Sequence, residues 1–329
     1  MRRRLDDVDP FWLDRWLGWL TEQFPEGNPL SSPNYVHALL AILLVGLICG
    51  SVGSLVVGNR MAFFSDALAH CAFAGVGLGL LIGLVTGAGL AEMKPWISTI
   101  MVGFGILVGL GIAFVREKTG QASDTVIGVF FAGAIGFGAV MLKAATGREF
   151  QSPESFLFGD LVSTDGHDLI TLFVVALITF GFLIWMNNSL VFASFNPSLA
   201  ISRQIPVRMA NYLFIVLLAI IVNLCLRAIG ALLINALLIV PAATAANLCR
   251  NMRQLFWWSI GLCLFAGVAG QWLSWEVMVG TSRGTKIHPG ESGSIVVVSV
   301  VLFFLSMAIG PRLKNRMARR RQPAASVPG

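Results

Sequence analysis

The sequence predicts an all-α, polytopic membrane protein of about nine transmembrane helices, within a range of roughly eight to ten, whose C-terminus is cytoplasmic. Three observations carry that prediction. Of the 329 residues, 56% are hydrophobic and only 12% are charged, and the mean hydropathy is +0.78, so the chain is too apolar for an ordinary soluble domain. Nine stretches are nearly free of charge and approach the length of about 20 residues that a helix needs to cross roughly 30 Å of hydrocarbon. A run of Lys and Arg follows the last of them.

The stretches cover 37–59, 67–91, 95–115, 125–142, 169–202, 209–226, 228–249, 254–275 and 292–311. The second extends back to Met61, which carries Asp66 into the membrane. Lipid offers no partner to backbone N–H and C=O groups, so spans must be helices or a closed barrel. The short alternating segments of a barrel do not occur here. Three regions follow: an N-terminal extension over 1–34, a transmembrane domain over 35–311 and a basic tail over 312–329.

The extension mixes acid, base and aromatic residues (Arg2, Arg3, Arg4, Asp6, Asp7, Asp9, Phe11, Trp12, Trp16, Trp19) without a short apolar core before a cleavage site. A signal peptide is therefore not expected. A short interfacial helix around residues 10–23, with its tryptophans at headgroup depth, is the better reading.

Orientation comes from the basic residues. Arg312, Lys314, Arg316, Arg319, Arg320 and Arg321 place the tail inside. Nine spans then leave the N-terminus outside, with Arg60, Arg116, Lys118, Arg203, Arg208, Arg250 and Arg253 in inner loops. Lys94, Lys143, Arg148, Arg227, Arg283 and Lys286 fall in outer ones. Arg2, Arg3, Arg4 and Arg15 run against this bias, though neighbouring acids partly neutralise them. The net charge of +6 reads as membrane orientation and contact with anionic lipid rather than nucleic-acid binding. Cys49, Cys71, Cys225, Cys249 and Cys263 are scattered through apolar runs without CxxC spacing, as buried small hydrophobes are.

Chemistry concentrates in MAFFSDALAHCAFAGVGLGLLIGLVTG, Met61 to Gly87. Ionisable residues inside a span are functional by default. Asp66 and His70 are four apart, so they share one helical face, and His70 falls about 13 Å along the helix from Met61, near the bilayer midplane. A carboxylate oxygen with an imidazole nitrogen suits zinc, manganese or iron(II), and two ligands per helix suit an ion that must enter and leave. The competing reading is a structural pair bonded to each other or to a neighbouring carbonyl. Gly75, Gly79, Gly83 and Gly87 recur every four residues as a packing stripe. Gly75 is rotated about 140° from His70, so packing and ligand faces are distinct.

Other polar residues are secondary candidates. Asp124, in ASDTVIGVFF, reads first as a helix-capping residue near the inner surface. Asp160, in SFLFGDL, lies in an outer connection whose 154–162 stretch reads as a short re-entrant or surface helix. A metal-gathering carboxylate and a solvated loop residue are equal readings there. Asn235 and Pro241 share GALLINALLIVPAATA, where the proline kinks a helix and frees a carbonyl. His288 and Glu291 belong to an outer loop. His37 and His167 sit at span edges with no role beyond interfacial placement. No GxxxxGK[ST] phosphate loop occurs, so energy is expected from another chain.

Across about residues 35–312 the chain resembles the zinc/manganese/iron class of ABC-transporter permeases. The resemblance rests on RMAFFSDALAHCAFAGVGLGLL at 60–81, SDTVIGVFFAGAIGFG at 123–138, SFLFGDL at 155–161 and GALLINALLIVPAATA at 230–245, in this order and spacing. It implies a permease that passes the metal by alternating access through Asp66 and His70. A homodimer, a cytoplasmic ABC ATPase, an extracytoplasmic metal-binding protein and a bacterial inner-membrane location are implied with it. The metal is cargo, with no permanently bound cofactor, and the chain is a transporter subunit rather than an enzyme. The resemblance also makes the inner loop from Ser198 through Ala200 and Gln204 to Pro206 the helix that seats on the ATPase. Here the chain departs from the family, which usually has an acid near Ser198 and a glycine near Gln204. Rival readings are a proton-coupled secondary transporter, a substrate-free membrane anchor and an ABC permease for a metal chelate.

Overall fold

The computed structural model of the chain describes residues 12–25, 28–87, 90–144, 159, 161, 164–195, 207–249, 251–277, 279–280, 286–287 and 290–319. Ten helices occur among them: α1 (Trp12–Thr21), α2 (Pro33–Gly58), α3 (Ala62–Thr86), α4 (Leu90–Thr119), α5 (Ser123–Ala144), α6 (Gly166–Phe195), α7 (Val207–Ile229), α8 (Ala231–Leu248), α9 (Met252–Glu276) and α10 (Glu291–Arg319). A 3-10 turn, Pro29–Ser31, leads into α2 and is capped by the Asn28 side chain, which accepts from Leu30 N–H.

Helices α2 to α10 are the nine described helices long and apolar enough to cross a membrane. Each coincides with one charge-free run of the sequence. The spans differ in how much they bury: α2 and α7 are mostly enclosed, while α5 and α10 present most of their surface outward. This is why their apolar residues show little one-sidedness. In lipid both the buried and the exposed face must be apolar.

Packing divides the spans into two groups. Helices α2, α8, α9 and α10 pack on one another, as do α3, α4, α5 and α7, while α6 bridges α2 and α7. Contact across the seam between α3 and α8 is sparse. Within the first group small residues set the approach: a Cβ on Gly50 would lie 2.6 Å from Ile260 Cα, and one on Gly53 would collide with Leu238 O. In the second group Gly75 meets Met101 and Gly79 meets Ile97, both on α4. The glycine stripe therefore packs as expected through Gly79. Gly87 does not belong to it, because it has open space around it and ends α3 in the left-handed region at φ 69°.

The outer connection after α9 contains a short antiparallel pair, β1 (Val279–Gly280) and β2 (Lys286–Ile287), in a structure otherwise helical among the described residues. Past the last span, which ends at Gly310, α10 continues to Arg319 and carries the first part of the basic tail. Pro311 lies inside this helix, and past it the residues LKNRMAR are mostly good helix formers, Asn315 excepted. Cys49, Cys71, Cys225 and Cys263 are buried, Cys249 is half-buried, and none of the five forms a disulfide with another described residue.

The close approach of α2 and α9 makes one prediction. Gly50→Ala should lower stability by about 1–3 kcal/mol through overpacking against the Ile260 backbone. Gly128→Ala on α5, where a Cβ meets nothing within 4 Å, should not. Thermal unfolding of the two purified variants in detergent separates them.

Candidate functional site

Asp66 and His70 owe their position to the turn before α3. Helix α2 closes in a Schellman arrangement, with Arg60 N–H bonded to Val57 O at 3.1 Å and Met61 N–H to Val56 O at 3.0 Å. Arg60 takes the left-handed conformation (φ 55°) that usually falls to glycine, at a cost of about 1–2 kcal/mol. This tight reversal starts α3 at Ala62 and makes Asp66 its fifth residue.

Depth follows from packing. Gly75 lies against Met101, Gly79 against Ile97, and Gly109 against Leu68 and Phe64, so α3 and α4 run antiparallel. Continued along the pair, this register sets Asp66 at the level of about Leu110 and His70 at about Ile106. Those levels fall on either side of the middle of the Trp96–Thr119 span. The pair is therefore well inside the membrane, as the residue count from Met61 predicts.

The His70 ring is oriented by two contacts. Its Nδ1 lies 2.9 Å from the backbone oxygen of Asp66, one turn earlier. A carbonyl can only accept, so Nδ1 carries the proton and the Nε2 lone pair stays available. The ring also meets Phe131 of α5 edge-on, with centroids 4.8 Å apart. Asp66 Oδ1 is 3.6 Å from Nδ1, beyond a good hydrogen bond.

The carboxylate's short bond comes from elsewhere: Asn235 Nδ2 donates to Asp66 Oδ1 at 2.8 Å. Asn235 is the fifth residue of α8, which follows α7 after Gly230 alone. Gly230 has φ 82° and ψ 161°, a region essentially restricted to glycine. Gly159 of the outer connection packs against Ile229 O and Gly230 N at this break. The Asp66–Asn235 bond thus joins α3 to α8, across the seam between the two helix groups. Asn235 Oδ1 is buried and has no hydrogen-bond partner among the described residues. In a single chain the Asp66 and His70 side chains remain 41% and 28% exposed, and neighbouring Phe63 is 66% exposed. The face of α3 that carries Asp66 and His70 therefore opens outward.

The remaining sequence candidates fall differently. Asp124 is exposed in the first turn of α5, where a carboxylate favours the helix dipole. It is seven residues before Phe131, about 10 Å along the helix. Asp160, Ser198, Ala200, Gln204 and His288 lie outside the described residues. Pro241 lies inside α8, and the Leu237 carbonyl one turn before it accepts from the Cys263 thiol at 3.5 Å.

His37 corrects the expectation that it has only an interfacial placement. Its Nε2 lies 2.8 Å from Asp14 Oδ1, and Nδ1 lies 2.7 Å from Pro33 O. The sequence reading also did not single out an inner tie between α4 and α7. There Arg208 Nε meets Glu117 Oε1 at 2.9 Å, and Tyr212 donates to Glu117 Oε2 at 3.0 Å. No local pattern marks such pairs, whose members are about 90 residues apart.

Comparison with known proteins gives the family. The sequence profile of the ABC 3 transport family matches residues 31–310. The chain belongs to the ABC 3 transport family. It is the membrane-spanning permease of an ABC transporter, and its nine apolar helices make it a multi-pass membrane protein. Among its ABC 3 relatives is the high-affinity zinc uptake system membrane protein ZnuB of Haemophilus influenzae. It is 28% identical over 84% of this chain and 97% of that protein. The manganese transport system membrane protein MntC of Halalkalibacterium halodurans is also 28% identical, over 87% and 90% of the two chains. In architecture the ABC 3 chain is similar to the solved structure of PsaBC from Streptococcus pneumoniae in complex with Fab. The TM-score is 0.67 at 24% identity, covering 87% of this chain and 95% of that one.

Asn235→Leu removes the donor that holds Asp66. Its expected cost is about 1 kcal/mol, at the low end for a bond to a charged group because Asp66 keeps 41% exposure. The thermal midpoint of the purified variant checks this, with Asn235→Asp as a further comparison that introduces like-charge repulsion at the same bond.

Proposed function

We propose that this ABC 3 permease imports a divalent transition-metal cation, zinc, manganese or iron(II), by alternating access, with Asp66 and His70 as its ligands in the pathway. The observation that carries this reading is the pair itself. A carboxylate and an imidazole with a free Nε2 lone pair share one face of α3 at mid-span, with a second oxygen-bearing side chain, Asn235, beside them. This mixed nitrogen and oxygen set suits borderline cations and lowers the cost of stripping water from the ion. The names of the relatives, zinc uptake for ZnuB and manganese transport for MntC, point to the same class of cargo.

Asn235 acts on the carboxylate in this reading. In the empty site its N–H holds Asp66 Oδ1. A cation at the carboxylate favours the flipped amide, which turns the amide oxygen toward the ion as a third donor and frees the bond across the seam. Cargo occupancy is then felt by both helix groups. The outward-facing surface of Phe63, Asp66 and His70 is the surface on which a second copy completes the coordination shell, with water filling what remains.

ATP is hydrolysed by a separate cytoplasmic ATPase in this reading, since the chain has no phosphate-binding loop of its own. An extracytoplasmic metal-binding protein delivers the ion on the opposite side. The inner loop with Ser198, Ala200 and Gln204 seats on the ATPase. It leads into α7, whose first turns are tied to α4 through Arg208, Tyr212 and Glu117, so force on the loop reaches the helices that flank α3. Asp160 stands as a carboxylate on the outer approach. Asp124, exposed in the first turn of α5, is a weaker metal-contacting candidate on the inner side.

The test is ATP-dependent uptake of radioactive zinc and manganese into vesicles carrying the permease, its ATPase and its binding protein. Asp66→Ala and His70→Ala should each abolish uptake while the complex still assembles and hydrolyses ATP. Asn235→Leu should raise the half-saturating metal concentration by about 10-fold with less change in the maximal rate. Normal transport by both alanine variants would sink the reading and leave the pair as a packing feature.

A further inference from the structure

A pocket of about 210 Å³ opens between the last turns of α4 and the first turns of α7. It lies at headgroup depth, since the Trp96–Thr119 span ends there and the Arg208–Ile229 span begins there. The alternation of the spans puts both ends on the side of the basic tail. Its floor is formed by Ala113 and Ile215, which are buried, so the pocket is closed toward the hydrocarbon. Water takes about 30 Å³ per molecule in the liquid, so the space holds a phosphate group and a few waters.

The walls carry an excess of positive charge. Arg116 and Arg208 face one acid, Glu117, with the Asn211 amide and the Tyr212 hydroxyl beside them. Both oxygens of Glu117 are already engaged, Oε1 by Arg208 Nε at 2.9 Å and Oε2 by the Tyr212 hydroxyl at 3.0 Å. Among the described residues no carboxylate pairs with Arg116. Arg208 uses only its Nε in that pair, and its side chain is 86% exposed, so the outer fork of the guanidinium remains open to an anion. A third cation stands nearby: Lys118 lies 5.8 Å from the centre of the exposed Phe114 ring on the same end of α4. The chain that leads into α7, residues 196–206, contains no acid and adds Arg203.

The helix ends bias the pocket the same way. The first turn of α7 has no acidic residue and carries Arg208, against the preference of a helix N-terminus for negative charge. An anion seated between Arg116 and Arg208 satisfies both that helix end and the excess of guanidinium. The anion class at headgroup depth is the phosphate ester, which accepts through several oxygens at once and matches the planar fork of arginine.

We infer that this pocket binds the phosphate group of an anionic phosphate ester, with Arg116, Arg208 and Asn211 as donors. Two sources offer this chemistry, the headgroup of a phospholipid in the inner leaflet and a soluble phosphate ester of the cytoplasm. In either case the bound phosphate ties α4 to α7 a second time, beside the Glu117 bonds. The site is separate from Asp66 and His70.

The full chain, purified in a maltoside detergent with and without its ATPase, is titrated with radiolabelled short-chain phosphatidylglycerol, glycerol phosphate and inorganic phosphate. Arg116→Gln should weaken binding about 10-fold, the loss expected for one charge-assisted bond, and Arg116→Lys should restore most of it. Arg116 holds no described acid, so the substitution should leave the thermal midpoint unchanged. Arg253→Gln, at the exposed inner end of α9, should leave binding unchanged. Phosphatidylglycerol bound alone in this Arg116-dependent way identifies the source as lipid, whereas equal binding of glycerol phosphate or phosphate identifies a soluble ester. The inference is overturned if no ligand depends on Arg116, or if Arg253→Gln weakens binding as much, which would make the effect one of general surface charge. It is equally overturned if no ligand binds and Arg116→Gln instead releases the ATPase, which would make the pocket a protein contact.

Discussion

Placing a carboxylate in the middle of a hydrocarbon layer is costly, and the arrangement around Asp66 is organised by that cost. Its oxygen takes a hydrogen bond from Asn235, its own backbone carbonyl orients His70, and the remaining exposure opens on a face that a single chain does not cover. Two tight breaks hold the partners in place: Arg60 before α3 and Gly230 before α8. Each is followed, five residues into the next helix, by one end of the same hydrogen bond. The geometry needs both breaks, because a looser turn at either would move a polar group by a turn or more along the seam.

The division into two helix groups gives that bond its consequence. Within each group small residues allow close backbone approach, and packed interiors do not deform gradually. Between α3 and α8 the packing is thin, so a polar contact there is a larger share of what joins the two sides. Under the proposed function, an ion that competed for Asp66 would act where the packing is thinnest. The Glu117, Arg208 and Tyr212 tie sits at the inner end of the second group, next to the loop through which an ATPase would push.

Much of the fold was legible because the solvent imposes it. Backbone groups in lipid must be satisfied within a helix, so nine apolar runs became nine helices with ends displaced by a few residues. The candidate pair was legible for a related reason: Asp66 and His70 stand out against apolar neighbours, and a spacing of four puts them on one face. Asn235 was visible as a polar residue in an apolar run, but its meeting with Asp66 was not. Their separation of 169 residues leaves no periodic trace in one sequence. The same holds for Asp14 with His37 and for Glu117 with Arg208. The strand pair after α9 was missed because two-residue strands carry no alternation to read.

The sequence by itself determined the class of the protein, its spans to within one, the shared helical face of Asp66 and His70, and the family to which the chain belongs. These depend on local composition and on spacing along one helix, which the 1.5 Å rise converts directly into position. Only the tertiary structure decided which helices neighbour each other, that Asn235 completes the carboxylate's surroundings across a seam, and that α1 bonds to α2 through Asp14 and His37. Those outcomes depend on which apolar faces pack together, and in a chain whose faces are nearly all apolar, the pattern of hydrophobic residues no longer distinguishes one face from another.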